Sequence, residues 1–211
     1  MSDAFLRKPF ENLERQHMAV SFGMWVFLVS EILLFGGLFA GYSVYRGLYT
    51  QGFLAAGRET DIVYGTINTA ILMTSSLTVA VAGRAARAQF GRMAWRLLIV
   101  TFLLGLSFLA LKGFEYREDI EKHLVPGAGF ALAQPGAQIF FSYYWVMTSV
   151  HAIHVTCGLI GLLRLIIASR RNFAWLAGSA SEDATALYWH LVDLIWIVLY
   201  PLLYLVGRSH G

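Results

Sequence analysis

The sequence predicts an all-α integral membrane protein, a bundle of five transmembrane helices. Three observations predict it. Apolar residues fill 57% of the 211 positions and charged residues only 14%, against roughly 25% charged in soluble domains. The mean hydropathy is +0.59. The apolar residues also gather into five runs, each close to the ~20 residues that cross a bilayer core.

Residues 1–19 carry Asp3, Arg7, Lys8, Glu11, Glu14 and Arg15 without an apolar core. They read as a cytoplasmic N-terminal segment ahead of a single five-helix transmembrane domain over 20–211. No cleavable signal peptide is expected, because the first apolar run is too long and lacks a small-residue cleavage site. The spans fall at 20–45, 62–83, 95–113, 139–168 and 186–206. The third is the shortest, and the fourth is long enough to tilt or protrude. Pro201 should bend the last span or free one carbonyl. The connections 46–61 and 114–138 hold Gly57, Pro126, Gly127, Gly129, Pro135 and Gly136 and read as ordinary loops.

Orientation follows from the basic residues. A cytoplasmic N-terminus puts Arg7, Lys8, Arg15, Arg84, Arg87, Arg92, Arg96, Arg164, Arg170 and Arg171 inside. It puts Arg46, Arg58, Lys112, Arg117, Lys122 and Arg208 outside. The C-terminus is then on the outer side. The basic residues form short clusters between apolar runs, not the continuous stripe that nucleic acid requires, so no nucleic-acid partner is expected. The lone Cys157 cannot make an intrachain disulfide and reads as a small packed hydrophobe. Gly37 and Gly41 on the first span, and Gly158 and Gly161 on the fourth, are places for close helix approach. Asn68, Thr69, Thr74, Ser75, Ser76 and Thr78 read as hydrogen-bonding groups between helices rather than a transport path.

A charge at the bilayer centre costs about 2.5–3.5 kcal/mol on insertion scales, so intramembrane ionisable residues are where function is sought. Glu31 sits mid-span with no cation one turn away. It reads as a proton-exchanging group, a lipid-headgroup contact or a carboxyl hydrogen-bonded to a neighbouring helix. His151 and His154 lie three apart on one helical face. Two histidines alone are weak grounds for a metal, and polar bracing of the interior is the preferred reading. His190 and Asp193 have the same spacing, and a structural hydrogen-bonded pair is preferred to a proton relay. Lys112 is expected to snorkel to the surface and pair with Glu115, with Glu118, Asp119 and Glu121 completing a solvated helix end. The chain offers no phosphate loop, no nucleophile beside a base and no cysteine pair, and its spans hold too few histidines for a haem–copper centre.

Four stretches then resemble one family. They are Phe22-Gly23-Met24-Trp25-Val26-Phe27-Leu28-Val29-Ser30-Glu31 with Phe35 following, Leu111-Lys112-Gly113-Phe114-Glu115-Tyr116, His151-Ala152-Ile153-His154-Val155-Thr156-Cys157-Gly158, and Tyr188-Trp189-His190-Leu191-Val192-Asp193-Leu194-Ile195-Trp196. In this order they resemble subunit III of the haem–copper terminal oxidases, the cytochrome c oxidase subunit 3 family, in its five-helix bacterial form. Larger members have seven helices and a lipid-holding cleft beside the first two, and place an arginine where this chain has Ser21.

The resemblance implies a non-redox accessory subunit of a proton-pumping, oxygen-reducing cytochrome c oxidase in a bacterial inner membrane. It implies no metal in this chain, with haem and copper in partner subunits and a phospholipid as a candidate ligand. The implied partners are catalytic subunit I as the main contact, subunit II and a small fourth subunit. Glu31 matches the family's intramembrane carboxylate. His151, His154, His190 and Asp193 match its recurring polar residues, and Glu115 matches the Glu-Tyr that ends the third span. These six are expected to brace the fold or support proton uptake, and no catalytic residue is expected. Subunit III of a quinol oxidase and a nitric-oxide-reductase-associated homologue stand as alternatives. A self-contained haem or metal enzyme and a proton-coupled transporter are the readings from other classes.

Overall fold

A computed structural model describes residues 13–170 and 180–208. Arg7, Lys8 and Arg171 of the charge count, and most of the N-terminal segment, lie outside the described residues. The described chain forms helices α1 (Leu13–Leu48), α2 (Thr50–Glu59), α3 (Ile62–Arg87), α4 (Gly91–Glu121), α5 (Ala137–Ser169) and α6 (Ala180–Tyr204). Five of these are long and apolar enough to span a membrane, all but the ten-residue α2. The protein is therefore a multi-pass membrane protein.

Two sequence expectations are corrected. The 46–61 connection is not an ordinary loop, because most of it is α2. Gly52, Phe53, Ala56 and Gly57 fall on one face of that helix and are buried. Gly52 lies so close to the carbonyl of Pro135 that a side chain there would strike it, which docks α2 on the connection between α4 and α5. The third span is also longer than its apolar run, and α4 continues eight residues past Gly113 to Glu121. Lys112, Glu115 and Asp119 follow at intervals of three and four, so they share one face, and that face is buried. Arg117 and Glu121 point the other way and pair at 3.0 Å in solvent.

At the opposite end α3 turns into α4 within three residues. Gln89 takes a left-handed φ of 65°, and the Phe90 N–H donates to the Ala85 carbonyl at 2.8 Å. Asp61 caps the start of α3 by accepting from the Val63 N–H at 2.8 Å. The 33 residues of α5 span about 50 Å at 1.5 Å each, more than the ~30 Å hydrocarbon core, so this helix protrudes or tilts.

The core lies among α3, α4, α5 and α6. Trp189 of α6 is fully buried between Gly105 of α4 and Gly158 of α5. A Cβ at either glycine would come within 2.7 or 2.8 Å of its ring. Polar groups of α3 secure the indoles: Trp189 Nε1 donates to Ser75 Oγ at 3.0 Å, and Trp196 Nε1 donates to Thr69 Oγ1 at 3.1 Å. Thr78 and Thr101 share a hydrogen bond at 2.8 Å. Thr74, by contrast, returns to its own helix at Ala70 O.

Helix α1 packs on the bundle by one stripe, with Leu28, Glu31, Phe35 and Tyr42 turned inward and buried. Its other faces expose Phe22, Trp25, Val29 and Leu33. Of the expected glycine pair only Gly41 approaches a neighbour, the Tyr143 side chain, whereas Gly37 faces open space. Pro201 lies inside α6, which continues to Tyr204. Arg208 then donates to the carbonyls of Tyr204 at 2.6 Å, Arg58 at 3.1 Å and Thr60 at 2.5 Å, tying the end of α6 to the α2–α3 junction.

Candidate functional site

The intramembrane ionisable residues fall into three separate places. The first joins α1 to α5, where His154 Nε2 stands 2.8 Å from Glu31 Oε2. The ring approaches the carboxyl off the axis of a good hydrogen bond, so the contact rests on proximity more than on a linear N–H···O. Nδ1 of the same ring lies 2.7 Å from the Val150 carbonyl, which can only accept, so Nδ1 carries a hydrogen. Nε2 is then the ring atom turned towards the Glu31 carboxyl. Phe35 packs its ring edgewise on His154 at 5.6 Å.

Towards the N-terminal end of α1, His154 borders an apolar groove of about 450 Å³. Met24 and Phe27 of α1 face Ile153, Cys157 and Gly161 of α5 and Ala184 and Tyr188 of α6 across it. Cys157 is therefore exposed at the groove and is not packed away as expected.

The second place is the core. His151 is fully buried between Phe108 at 5.6 Å and Trp196 at 5.1 Å, and neither ring nitrogen has a hydrogen-bond partner among the described residues. The two histidines expected on one face therefore diverge, His154 towards α1 and His151 into the aromatic core. An i, i+3 step turns about 300°, and the remaining 60° separates the two neighbourhoods. His190 and Asp193 do not pair either. His190 Nδ1 lies 2.8 Å from Ser76 Oγ of α3, while both Asp193 carboxyl oxygens are buried without a hydrogen bond among the described residues. Asn68 is a further buried polar side chain without a partner among the described residues.

The third place overturns the expected solvated helix end. Lys112, Glu115 and Asp119 are buried, and the expected Lys112–Glu115 pair forms at 3.0 Å inside the protein rather than at its surface. Tyr144 of α5 and Tyr204 of α6, neither singled out from the sequence, complete the group. Lys112 Nζ donates to their hydroxyls at 3.0 and 2.7 Å and sits 4.5 Å from the Tyr144 ring centroid. Beside it, Tyr116 donates to Thr148 Oγ1 at 2.7 Å, and Tyr64 of α3 donates to Glu118 at 2.7 Å. The spacing of Lys112, Glu115 and Asp119 was the available sequence signal for a shared face. Nothing local to Tyr144 or Tyr204 marked them.

Among the described residues no group of three or more histidine, cysteine or carboxylate side chains is placed to hold a metal ion. The arrangement joins separate helices through buried polar side chains.

The sequence profile of the family described as "Cytochrome c oxidase subunit III" matches residues 12–208. The chain is 36% identical over 187 residues to cytochrome c oxidase subunit 3 of Thermostichus vulcanus, covering 88% of this chain and 87% of that protein. It is 31% identical over 193 residues to cytochrome bo(3) ubiquinol oxidase subunit 3 of Pseudomonas aeruginosa, covering 88% and 84%. It is 30% identical over 199 residues to a probable cytochrome c oxidase subunit 3 of Mycobacterium bovis, covering 92% and 91%. Bundle, buried polar residues and whole-chain similarity converge: the chain belongs to the cytochrome c oxidase subunit III family.

Proposed function

We propose that this subunit III braces the catalytic subunit of a proton-pumping cytochrome c oxidase and supports its proton uptake during oxygen reduction. The observation that carries the reading is the match of nearly the whole described bundle to the family. The chain is an accessory subunit of a terminal oxidase, and haem and copper lie in other subunits of that complex.

The face of α1 that exposes Phe22, Trp25, Val29 and Leu33 is the surface we assign to catalytic subunit I, with subunit II and a small fourth subunit as further neighbours. The apolar groove suits one acyl chain of a membrane phospholipid. We place the complex in a bacterial inner membrane with the N-terminus cytoplasmic and the C-terminus outside, following the arginine distribution. Glu31, His151, His154, His190, Asp193 and Glu115 act in this reading as internal bracing or proton-uptake support, not as catalytic groups.

The test is purification of the tagged chain in mild detergent, read by mass spectrometry and visible absorption. Co-purification of a large haem-bearing subunit sustains the proposal; a chain that emerges alone overturns it. The 31% identity to a relative named as a ubiquinol oxidase subunit favours a second reading, in which the complex takes electrons from quinol. Oxidation of cytochrome c against that of quinol by the purified complex separates the two.

A further inference from the structure

The end of the bundle where α4 stops and α5 begins encloses five side chains, Lys112, Glu115, Asp119, Tyr144 and Tyr204, all of them buried. Six short polar contacts join them. Lys112 Nζ reaches Glu115 Oε2 at 3.0 Å, the Tyr144 hydroxyl at 3.0 Å and the Tyr204 hydroxyl at 2.7 Å. The Tyr144 hydroxyl lies 2.8 Å from Glu115 Oε1 and 2.7 Å from Asp119 Oδ2. The Tyr204 hydroxyl lies 2.7 Å from Glu115 Oε1.

Each contact of this length needs a hydrogen between its two heavy atoms. The ammonium of Lys112 supplies three and directs all three within the group. Each phenol supplies one. That makes five hydrogens for six contacts. With both carboxyls ionised, the Tyr144 hydroxyl satisfies only one of them and turns a lone pair towards the other at under 3 Å. The group would also keep one uncompensated negative charge in a buried place, the costly arrangement for any ion.

We propose that this cluster is a binding site for one further proton, held by Asp119 against the Tyr144 hydroxyl. The sixth hydrogen then lies on Asp119 Oδ2 and points to Tyr144. Tyr144 accepts from Asp119 and Lys112 and passes its own hydrogen to Glu115 Oε1. Tyr204 accepts from Lys112 and donates to the same oxygen. Every contact is filled, and the ammonium is balanced by one carboxylate.

Glu115 is the carboxylate, because it receives the ammonium on one oxygen and two phenols on the other. Asp119 receives no cation directly. Of the elements packed around it, α5 presents the Tyr144 phenol and α4 presents Glu115 and Lys112. Exposed Lys122 on the turn beyond α4 is the other nearby charge.

The variants Asp119→Asn and Glu115→Gln in the intact oxidase complex test this. An amide in place of a neutral acid still donates to Tyr144, so D119N should assemble and melt within about 2 °C of wild type. It should also lose one protonated-carboxyl stretching band in the infrared difference spectrum. E115Q replaces the ionised member and should lower the melting temperature by more than D119N does. A D119N complex that keeps every protonated-carboxyl band overturns the proposal. So does one that fails to assemble while E115Q is tolerated, because the proton would then reside on Glu115.

Discussion

Glu31 of α1 stands 2.8 Å from His154 of α5, a contact between the first helix and the fifth within the apolar span. Because Nδ1 of His154 is committed to the Val150 carbonyl, Nε2 is the ring atom that faces the Glu31 carboxyl. Glu31→Gln keeps a donor towards a neutral ring, so oxygen reduction by the assembled complex should change less than about twofold, below about 0.4 kcal/mol in barrier. Glu31→Ala strands a ring nitrogen at a cost of about 1–3 kcal/mol and should release the subunit in milder detergent. The Glu31→Ala, His154→Ala double variant should be less damaged than the sum of the singles. Loss of turnover in a fully assembled E31Q complex is the result that sinks the bracing role.

Trp189 separates two kinds of glycine that the sequence does not distinguish. Gly105→Ala and Gly158→Ala each place a methyl within 3 Å of the indole, between packed helices. Overpacking of this kind costs about 1–3 kcal/mol, visible as a lower melting temperature of the detergent-solubilised protein. Gly37→Ala meets nothing within 4 Å and should leave the melting temperature unchanged or raise it. Equal effects at Gly37 and Gly158 would contradict the packing around Trp189.

Lys112→Met removes the cation from beneath two tyrosines and leaves Glu115 a buried charge without its counterion. Breaking a buried pair in this way costs about 3–5 kcal/mol, enough for the variant subunit to be missing from purified complex. Arg117→Ala, one face away in solvent, should be recovered at wild-type level. Immunoblotting of membranes against purified complex reads both.

Arg208 holds three carbonyls at the junction of α2 and α3. Arg208→Ala should loosen that junction and speed trypsin cleavage after the exposed Arg58. The same assay reports orientation, since cleavage is expected when trypsin meets the outer face of sealed vesicles and not the inner face. Cleavage from the inner face reverses the topology argued from the arginines.

Hydropathy made the five spans legible because crossing a bilayer demands long apolar runs, and those runs are local in sequence. It did not disclose α2, whose glycines and charges look like a loop until Phe53 and Ala56 are seen buried against the rest of the fold. It also ended α4 too early, because a hydropathy window averages Lys112, Glu115 and Asp119 as polar although their shared face is inside. Glu31 and His154 were each visible as costly residues, but their pairing joins distant segments and no local pattern encodes it. For His190 and Asp193, spacing suggested a partnership, but His190 meets Ser76 of α3 instead.

The closure of the Lys112 cluster by Tyr204 has a consequence for how the chain is made. The two residues are 92 positions apart, so at 5–20 residues per second the lysine enters the membrane about 5–20 s before its phenol is synthesised. During that interval α4 carries an ammonium and two carboxyls with no α6 to seal them. The nascent hairpin of α3 and α4 must therefore shelter at the insertion machinery or keep those groups at the headgroup level. A ribosome stalled before the last turn of α6 would leave the same surface open, where membrane quality control could recognise it.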